Sequence, residues 1–175
     1  IDRCVKGKPE ALLLVEFSGE SEPDQLAGLK RLHELMGDLG FPDSVVDAVD
    51  PEFQKEIWEV RKAGLNIMMS MKGEGKPISF IEDCAVLLED LAEYTRRLTD
   101  IFEKNGTSGT WYAHASVGCL HVRPVLNLKQ EVDVKKMRDI AEEAFAMVRE
   151  YKGSHSGEHG DGLVRSEFHE AMFGK

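Results

Sequence analysis

The chain has 175 residues, of which 42% are hydrophobic and 31% are charged, a balance typical of a folded globular protein rather than a disordered one. A chain of this length can bury a substantial hydrophobic core, so we expect one domain spanning residues 1–175. The formal net charge of −10 argues against a nucleic-acid partner, because nucleic-acid-binding surfaces are strongly positive.

The sequence contains no run that predicts a membrane span. The longest apolar runs, such as residues 11–15, are far shorter than the roughly 20 residues such a helix needs, and the first residues do not resemble a signal peptide. The three cysteines, Cys4, Cys84 and Cys119, are an odd number without CxxC spacing, which favours reduced thiols over a disulfide framework. We therefore predict a cytoplasmic protein, with a peripheral position at the inner membrane face as an alternative.

The first part of the chain predicts two strand–helix pairs. Residues 11–17 are a short apolar run that predicts a well-buried strand. Ser21 can cap the helix that follows, in which leucines recur at intervals of three and four until Gly40. Residues 44–49 predict a second strand, and Asp50 can cap a helix that runs into a methionine-rich region. This region has three methionines that we expect to serve in packing or in an interdomain surface: Met68, Met69 and Met71.

A third strand–helix pair follows a flexible glycine-containing break. Residues 77–81 begin the strand, and residues 83–86 can continue it. Apolar positions from Leu91 to Phe102 then predict a helix, with Gly106 as its left-handed terminator.

The last strand–helix pair completes the predicted fold. Residues 110–122 predict a strand, and Asp133 can cap a long helix that ends at Gly153. No Gly-rich phosphate loop of the GxGxxG or P-loop type follows any predicted strand, which argues against a nucleotide-binding parallel sheet. We therefore predict an α+β fold, in which a ferredoxin-like layer of helices packs on a mostly antiparallel sheet.

Histidines concentrate in two short segments near the end of the chain. Residues 113–121 and 153–162 together contain four of the six histidines. The second segment also has four glycines in ten residues. Such a glycine density lets the backbone approach a ligand closely but provides little packing.

Two of these histidines and one acid form a candidate metal site. His114 and His121 are seven positions apart, so on a continuous strand they would face opposite sides, and a bulge or bend at residues 116–118 could bring them together. With Glu158 they would make a set of two imidazoles and one carboxylate, which suits zinc or a similar divalent ion. In the alternative, the strand histidines are ordinary half-buried residues and the loop histidines are solvated.

Residues 114–121 and 156–162 resemble the HxGDGNxH and S-G/A-E-H-G signatures of the C-terminal substrate domain of FAD-linked oxidases. This family includes D-lactate dehydrogenases, the glycolate oxidase D subunit and D-2-hydroxyglutarate dehydrogenases. The order of the two segments, the gap of roughly 40 residues between them and the flanking Trp58 and Arg61 agree with this resemblance. The sequence around Arg123 is most similar to the branch that carries an iron–sulfur module on the same polypeptide.

The resemblance implies a divalent metal, zinc or manganese-like, held by His114, His121 and Glu158. This metal would bind the hydroxyl and carboxylate groups of a D-2-hydroxy acid. The resemblance also implies that His159 is the catalytic base, which takes the hydroxyl proton while hydride leaves for the flavin. Residues 116–119 lack the acid and the amide of the commoner signature, so the site must be oriented differently here.

The resemblance further implies three cationic substrate-binding residues. Arg61 and Lys76 would bind the substrate carboxylate, and a solvated surface charge is the alternative for each. Arg123 stands where D-2-hydroxyglutarate dehydrogenases have an asparagine on the substrate, so we expect it to pair with a carboxylate. Together, the three residues would suit a substrate with a second carboxylate, such as 2-hydroxyglutarate.

The resemblance also implies a larger enzyme around this chain. FAD would be bound mainly by a domain outside residues 1–175, and an iron–sulfur cluster would lie elsewhere in the full protein. The chain opens on Ile1 without a methionine and ends at Lys175, so we expect a segment cut from a longer polypeptide that is inactive alone. Expected partners are the FAD-binding domain, a small 2-hydroxy acid, an electron acceptor and a second copy of the chain. The rival reading is a non-catalytic ferredoxin-like binding or interaction domain with incidental histidines.

Overall fold

A computed structural model of the chain describes residues 3–175. The chain divides into two compact units, Ile1–Leu65 and Asn66–Lys175. The expectation that residues 1–175 act as one domain stays a prediction.

The first unit contains two helices, of which the second continues across the unit boundary. Helix α1 spans Glu22–Asp38 and helix α2 spans Pro51–Met69. The side chain of Ser21 accepts a hydrogen bond from the Asp24 backbone N–H at 3.4 Å, and Asp50 Oδ2 accepts one from Phe53 N–H at 3.0 Å. Both predicted caps are therefore confirmed.

The two strands predicted in the first unit are wrong. Residues 11–17 and 44–49 form no strand in the described part of the chain. The side chains of Leu12 and Leu13 are 65% and 78% exposed, so the predicted burial is absent as well. An apolar run marks a segment that favours burial, but a strand also requires a hydrogen-bonding partner, which the local sequence does not supply.

The second unit is an α+β layer whose sheet is entirely antiparallel, so the predicted fold class is confirmed. Strand β4 forms the centre of a four-stranded sheet: β3 pairs with one edge of β4, and β1 and β2 pair with the other. The elements are β1 Lys76–Pro77, β2 Cys84–Ala85, α3 Leu91–Lys104, β3 Gly109–His114, β4 Cys119–Leu126, α4 Glu131–Glu150, α5 Gly162–Arg165 and α6 His169–Phe173.

Strands β3 and β4 form a hairpin where one strand was predicted over residues 110–122. A tight turn at Ala115–Val117 is followed by Gly118 in the left-handed region at φ 68°, and the chain then reverses. The predicted bend at residues 116–118 is thus confirmed, whereas the single strand is wrong. In the hairpin register Tyr112 faces His121, and His114 faces Cys119.

The hydrophobic core lies between the sheet and helices α3 and α4. Alternate residues of β4, among them Leu120, Val122 and Leu126, are buried in this core, because successive side chains of a strand point to opposite faces. Full burial of each such side chain contributes about 1.5–3 kcal/mol. The other face of β4 therefore presents Cys119, His121 and Arg123.

Of the predicted helix ends, the C-terminal end of α3 is confirmed and the N-terminal cap of α4 is wrong. Gly106 has the left-handed conformation predicted for the terminator of α3, at φ 64°. Helix α4 begins at Glu131, so the predicted cap Asp133 lies inside its first turn. The Asp133 carboxylate instead accepts the Asn127 N–H at 2.8 Å, which closes the turn before the helix. Across residues 3–175, no helix has the length and apolarity needed to cross a lipid bilayer.

Candidate active site

The hairpin and the glycine-rich loop bring two imidazoles and one carboxylate together. Nε2 of His121 lies 3.1 Å from Oε2 of Glu158, and Nε2 of His114 lies 3.6 Å from the same oxygen. The register explains this approach: residues opposite each other in an antiparallel pair share a face, so Tyr112 shares a face with His121, and His114 lies two positions from Tyr112. The ring centroids of His114 and His121 are 5.1 Å apart.

His159 completes the cluster. Its ring stacks on the His121 ring at 4.6 Å with an interplanar angle of 9°. Nδ1 of His159 lies 3.4 Å from Oε1 of Glu82, and Nε2 lies 4.0 Å from Oε2 of Glu158. The carboxylate of Glu82 thus lies beside Nδ1 of His159, whereas Nε2 lies on the side of Glu158.

A buried carboxylate holds the loop that carries Glu158 and His159. Asp83 is fully buried, and its two oxygens accept the backbone N–H groups of Glu158 at 2.8 Å and His159 at 2.9 Å. The backbone of Gly157 donates to the Asp83 carbonyl at 2.8 Å. A Cβ at Gly157 would come within 2.9 Å of Cys119 Sγ, so this close approach requires glycine.

Arg165 also anchors the loop that carries Glu158 and His159. Its guanidinium is nearly fully buried and donates to the backbone carbonyls of Glu82 at 2.7 Å and Gly160 at 2.5 Å. It also lies 3.4 Å from Asp83 Oδ2 and donates to Asp161 Oδ1 at 2.9 Å. One buried cation therefore contacts the carboxylates of both Asp83 and Asp161, and buried charges are stable only when they have such partners.

Arg123 forms a part-buried ion pair beside the cluster. Nε and Nη2 of Arg123 both donate to Oε2 of Glu82, at 3.0 and 2.7 Å. Burial opposes ionisation of Glu82, but hydrogen bonding by Ser79 and the charge of Arg123 outweigh it and hold its pKa below the ordinary value. Glu82 therefore links Arg123 to His159 as a carboxylate.

The protonation states suit ligation by imidazole rather than by thiolate. Burial, followed by the neighbouring His159, lowers the pKa of His121, so its ring is neutral at pH 7. Burial and the nearby Asp83 raise the pKa of Cys119 to about 12, which keeps that thiol protonated. Neutral imidazole is the form that binds metals, whereas a thiol must lose its proton first.

The donor set fits a divalent ion. Zinc bonds of about 2.0–2.2 Å to nitrogen and oxygen place tetrahedral ligands roughly 3.3–3.5 Å apart. The contacts of 3.1 and 3.6 Å from His121 and His114 to Glu158 lie close to that spacing. The ligand atoms that all lie within 4.8 Å of one another in this cluster belong to Asp83, Cys119, His121 and Glu158, and His114 contacts this group through Glu158.

One of the predicted substrate-binding residues is not brought to this cluster. Lys76 lies on β1 opposite Leu126, five residues along β4 from His121, or about 17 Å at the usual rise per residue. Its ammonium donates to the Met71 carbonyl at 2.5 Å. Arg61 belongs to the first unit, where its guanidinium stacks 5.1 Å from the Trp58 ring, and its role stays a prediction.

The structure also identifies residues that the sequence analysis missed. Glu82, Asp83 and Arg165 hold His159 and its loop, although none belongs to the two histidine segments. Glu82 and Asp83 are adjacent acids at the end of the apolar run of residues 77–81, and this position was the one feature of the sequence that could have indicated them. Nothing local indicated that Asp83 adopts a left-handed backbone, at φ 85°, and turns its carboxylate inward.

Comparison with known proteins identifies the family of this chain. The family model for the C-terminal domain of FAD linked oxidases matches residues 3–175. A D-2-hydroxyglutarate dehydrogenase of Pantoea ananatis is 35% identical over 173 residues, which cover 94% of this chain and 16% of that protein. A D-2-hydroxyglutarate dehydrogenase of Pseudomonas putida is 34% identical over 164 residues, which cover 93% of this chain and 16% of that protein.

A more distant relative belongs to a shorter enzyme subunit. The glycolate oxidase subunit GlcD of Bacillus subtilis is 25% identical over 166 residues, which cover 95% of this chain and 34% of that protein. The chain thus spans about one sixth of the length of the D-2-hydroxyglutarate dehydrogenases it matches. The match across residues 3–175 shows that the chain belongs to the family of FAD-linked oxidase C-terminal domains.

Proposed function

We propose that this chain is the substrate-binding and metal-binding domain of a FAD-dependent dehydrogenase that oxidises a D-2-hydroxy acid to the 2-oxo acid. FAD would be held mainly by another domain of the same polypeptide and would receive the hydride. The single observation that carries this proposal is the convergence of His114, His121 and Glu158 on one face of the sheet, with His159 stacked beside them.

His114, His121 and Glu158 would hold the divalent ion. A bound divalent ion acts as a Lewis acid that orients a hydroxy acid and lowers the pKa of its hydroxyl group. The two imidazoles supply neutral nitrogen ligands, and Glu158 supplies one negative oxygen. Glu158 is held in place through its backbone N–H, which donates to the buried Asp83 at 2.8 Å.

His159 would accept the hydroxyl proton. Oε1 of Glu82, 3.4 Å from Nδ1, favours the tautomer that carries its proton on Nδ1. Nε2 then keeps its lone pair and lies on the side of Glu158, where the substrate hydroxyl would be bound. Neutral imidazole has a basicity suited to proton transfer near pH 7.

Arg123 would bind a second carboxylate of the substrate. Two of its nitrogens are occupied by Glu82, whereas Nη1 has a weak contact with Met69 Sδ at 3.9 Å. A guanidinium donates through several nitrogens at once, so Nη1 can take a substrate oxygen without loss of the Glu82 pair. This arrangement favours a dicarboxylic 2-hydroxy acid such as 2-hydroxyglutarate, with Arg61 as a further proposed contact.

The activity can be tested on the complete protein with a panel of D-2-hydroxy acids and a dye acceptor. We expect turnover, with preference for a dicarboxylic substrate. His159→Gln should lower kcat by roughly 10²–10⁴-fold, the usual contribution of a positioned base. His33→Gln changes an exposed histidine of α1 and serves as the matched control.

The proposed metal site needs a separate measurement. Metal analysis of the complete protein should show a divalent ion whose content falls in His121→Ala. Equal metal content in the wild type and His121→Ala would contradict these ligands. Absence of turnover with every acid in the panel, together with that equality, would favour the non-catalytic binding domain.

A further inference from the structure

A second group of potential ligands lies beyond the site described above. His155 follows α4, Asp161 immediately precedes α5, and His169 begins α6. One ligand atom from each of the three residues lies within 4.8 Å of the others. This group shares no residue with His114, His121 and Glu158, and the proposed function makes no use of it.

One distance within the group matches the spacing of metal ligands, and another is that of a direct hydrogen bond. Nε2 of His155 lies 3.3 Å from Oδ1 of Asp161, close to the distance of about 3.4 Å expected between two ligand atoms of a tetrahedral zinc site. Nε2 of His169 is hydrogen-bonded to Oδ2 of the same carboxylate at 2.5 Å, and a bound ion would replace this bond. The two imidazole rings are nearly parallel, with centroids 5.9 Å apart and an interplanar angle of 19°.

The state of His155 is the observation that points to a ligand. Its side chain is fully buried, yet neither ring nitrogen has a hydrogen-bond partner of acceptable geometry in residues 3–175. Its ring instead packs against the aromatic rings of Phe145 at 4.9 Å and Phe173 at 5.5 Å. Buried polar groups of native proteins are normally hydrogen-bonded, and the 3.3 Å approach of Nε2 to Asp161 Oδ1 does not supply such a bond, so the buried imidazole calls for a partner.

From these observations we propose that His155, Asp161 and His169 form a second divalent-metal site, which takes a zinc-type ion. Two imidazole nitrogens and one carboxylate oxygen are a donor set that zinc accepts readily. The side chain of His169 is 48% exposed, so the fourth position is open to water. The ion would tie the glycine-rich loop to α6, and its role is structural.

The adjacent Arg165 is compatible with such an ion. It donates through Nε to Oδ1 of Asp161 at 2.9 Å. A carboxylate has about four lone-pair sites on its two oxygens, so a bond from Arg165 leaves sites for a metal. Hydrogen bonds to a ligating carboxylate are usual in metal sites, because they fix its orientation.

The site can be tested by zinc analysis of the complete protein after dialysis against zinc and then against metal-free buffer. His169→Gln is the informative variant, because the amide can still donate to Asp161 but is a poor zinc ligand. We expect His169→Gln to lose one equivalent of zinc relative to the wild type. His33→Gln, at an exposed histidine of the first unit, should lose none.

A second variant separates this proposal from the proposed active site. His121→Ala tests the first site alone, so loss of zinc in His169→Gln but not in His121→Ala would support this inference and contradict the first site. Loss in both variants, additive in the double variant, would support both sites. Equal zinc content in the wild type, His169→Gln and His169→Ala would overturn the second site, and a buried water would then be the partner of His155.

Discussion

Single residues outside the two histidine segments decide how the proposed base is held. Glu82 is the clearest case, because it contacts both His159 and Arg123 and lies next to Asp83 in the chain. Its pKa is held below the ordinary value, so the carboxylate remains charged across the neutral range. We regard Glu82 as a positioning residue for the reaction proposed here.

Glu82→Gln in the complete protein should lower kcat about tenfold or more, equivalent to about 1.4 kcal/mol, because the amide no longer favours the required tautomer of His159. Metal content should stay unchanged, since Glu82 is not among the proposed ligands. Steady-state assays and metal analysis of the same preparations check both statements. Glu74→Gln removes an exposed acid and is the control; an unaltered kcat in Glu82→Gln would refute the positioning role.

Cysteine reactivity offers a second prediction for single residues. Burial raises the pKa of the Cys84 thiol to about 11, so its thiolate fraction at pH 8 is about 10⁻³. Burial disfavours the charged form, and reactivity should therefore rise only as the pH approaches that pKa. At pH 8, iodoacetamide should modify the half-buried Cys4 at least about tenfold faster than the fully buried Cys84.

Peptide mass spectrometry of the labelled protein checks this difference, with labelling in denaturant as the control in which all three cysteines react. Equal labelling of Cys4 and Cys84 in the native protein would contradict the buried position of Cys84.

Among the elements, the β3–β4 hairpin determines whether the site can form. Its turn places His114 and His121 on one face, and Gly118 is the residue on which the turn depends. At φ 68°, Gly118 has a backbone conformation that other residues adopt at a cost. A Cβ at this position would also lie 2.0 Å from the Val86 carbonyl oxygen, so there is no room for a side chain.

Gly118→Ala should therefore reduce local stability by roughly 3 kcal/mol or more, because backbone strain and overlap add. Gly106→Ala is a matched control: it has a similar φ of 64° but no atom within 4 Å of its Cβ position. We expect that control to cost only about 1 kcal/mol. Hydrogen exchange of peptides from β2 and β4 measures both changes, and equal costs would refute the role of crowding at Gly118.

The helices and strands also show which sequence patterns were sufficient to predict an element. Helices α3 and α4 were predictable from their apolar periodicity, because helix hydrogen bonds are local. Residues 11–17 failed as a strand, since their apolar character could not provide a partner strand. The pairing of β3 with β4 was missed for the same reason. A hairpin and a single bent strand have the same local sequence pattern, and they differ only in whether the two halves pair with each other.

At the scale of the whole molecule, the chain matches about one sixth of its D-2-hydroxyglutarate dehydrogenase relatives. Its sequence has no Gly-rich phosphate loop, and the cluster of imidazoles and carboxylates is the chemistry that the chain itself supplies. The proposed division of labour places flavin binding outside residues 1–175. Under this proposal, hydride transfer would require both parts of the polypeptide.

The chain expressed alone should neither retain stoichiometric FAD nor oxidise a 2-hydroxy acid, because the groups that hold flavin would be missing. Absorbance between 350 and 500 nm and the dye-linked assay, run beside the complete protein, check this expectation. Yellow protein with one FAD per chain would contradict the proposed division.

By itself, the sequence determined the family resemblance, helices α1 to α4 and the four residues that converge at the proposed site: His114, His121, Glu158 and His159. These rest on local patterns, namely side-chain periodicity and short runs of chemically distinctive residues. Only the tertiary structure decided that Glu82 and Asp83 contact His159 and its loop. It also decided that His155 is buried beside Asp161 and His169. Such contacts join residues far apart in the chain, and their geometry is set by sheet register and packing, which no local pattern encodes.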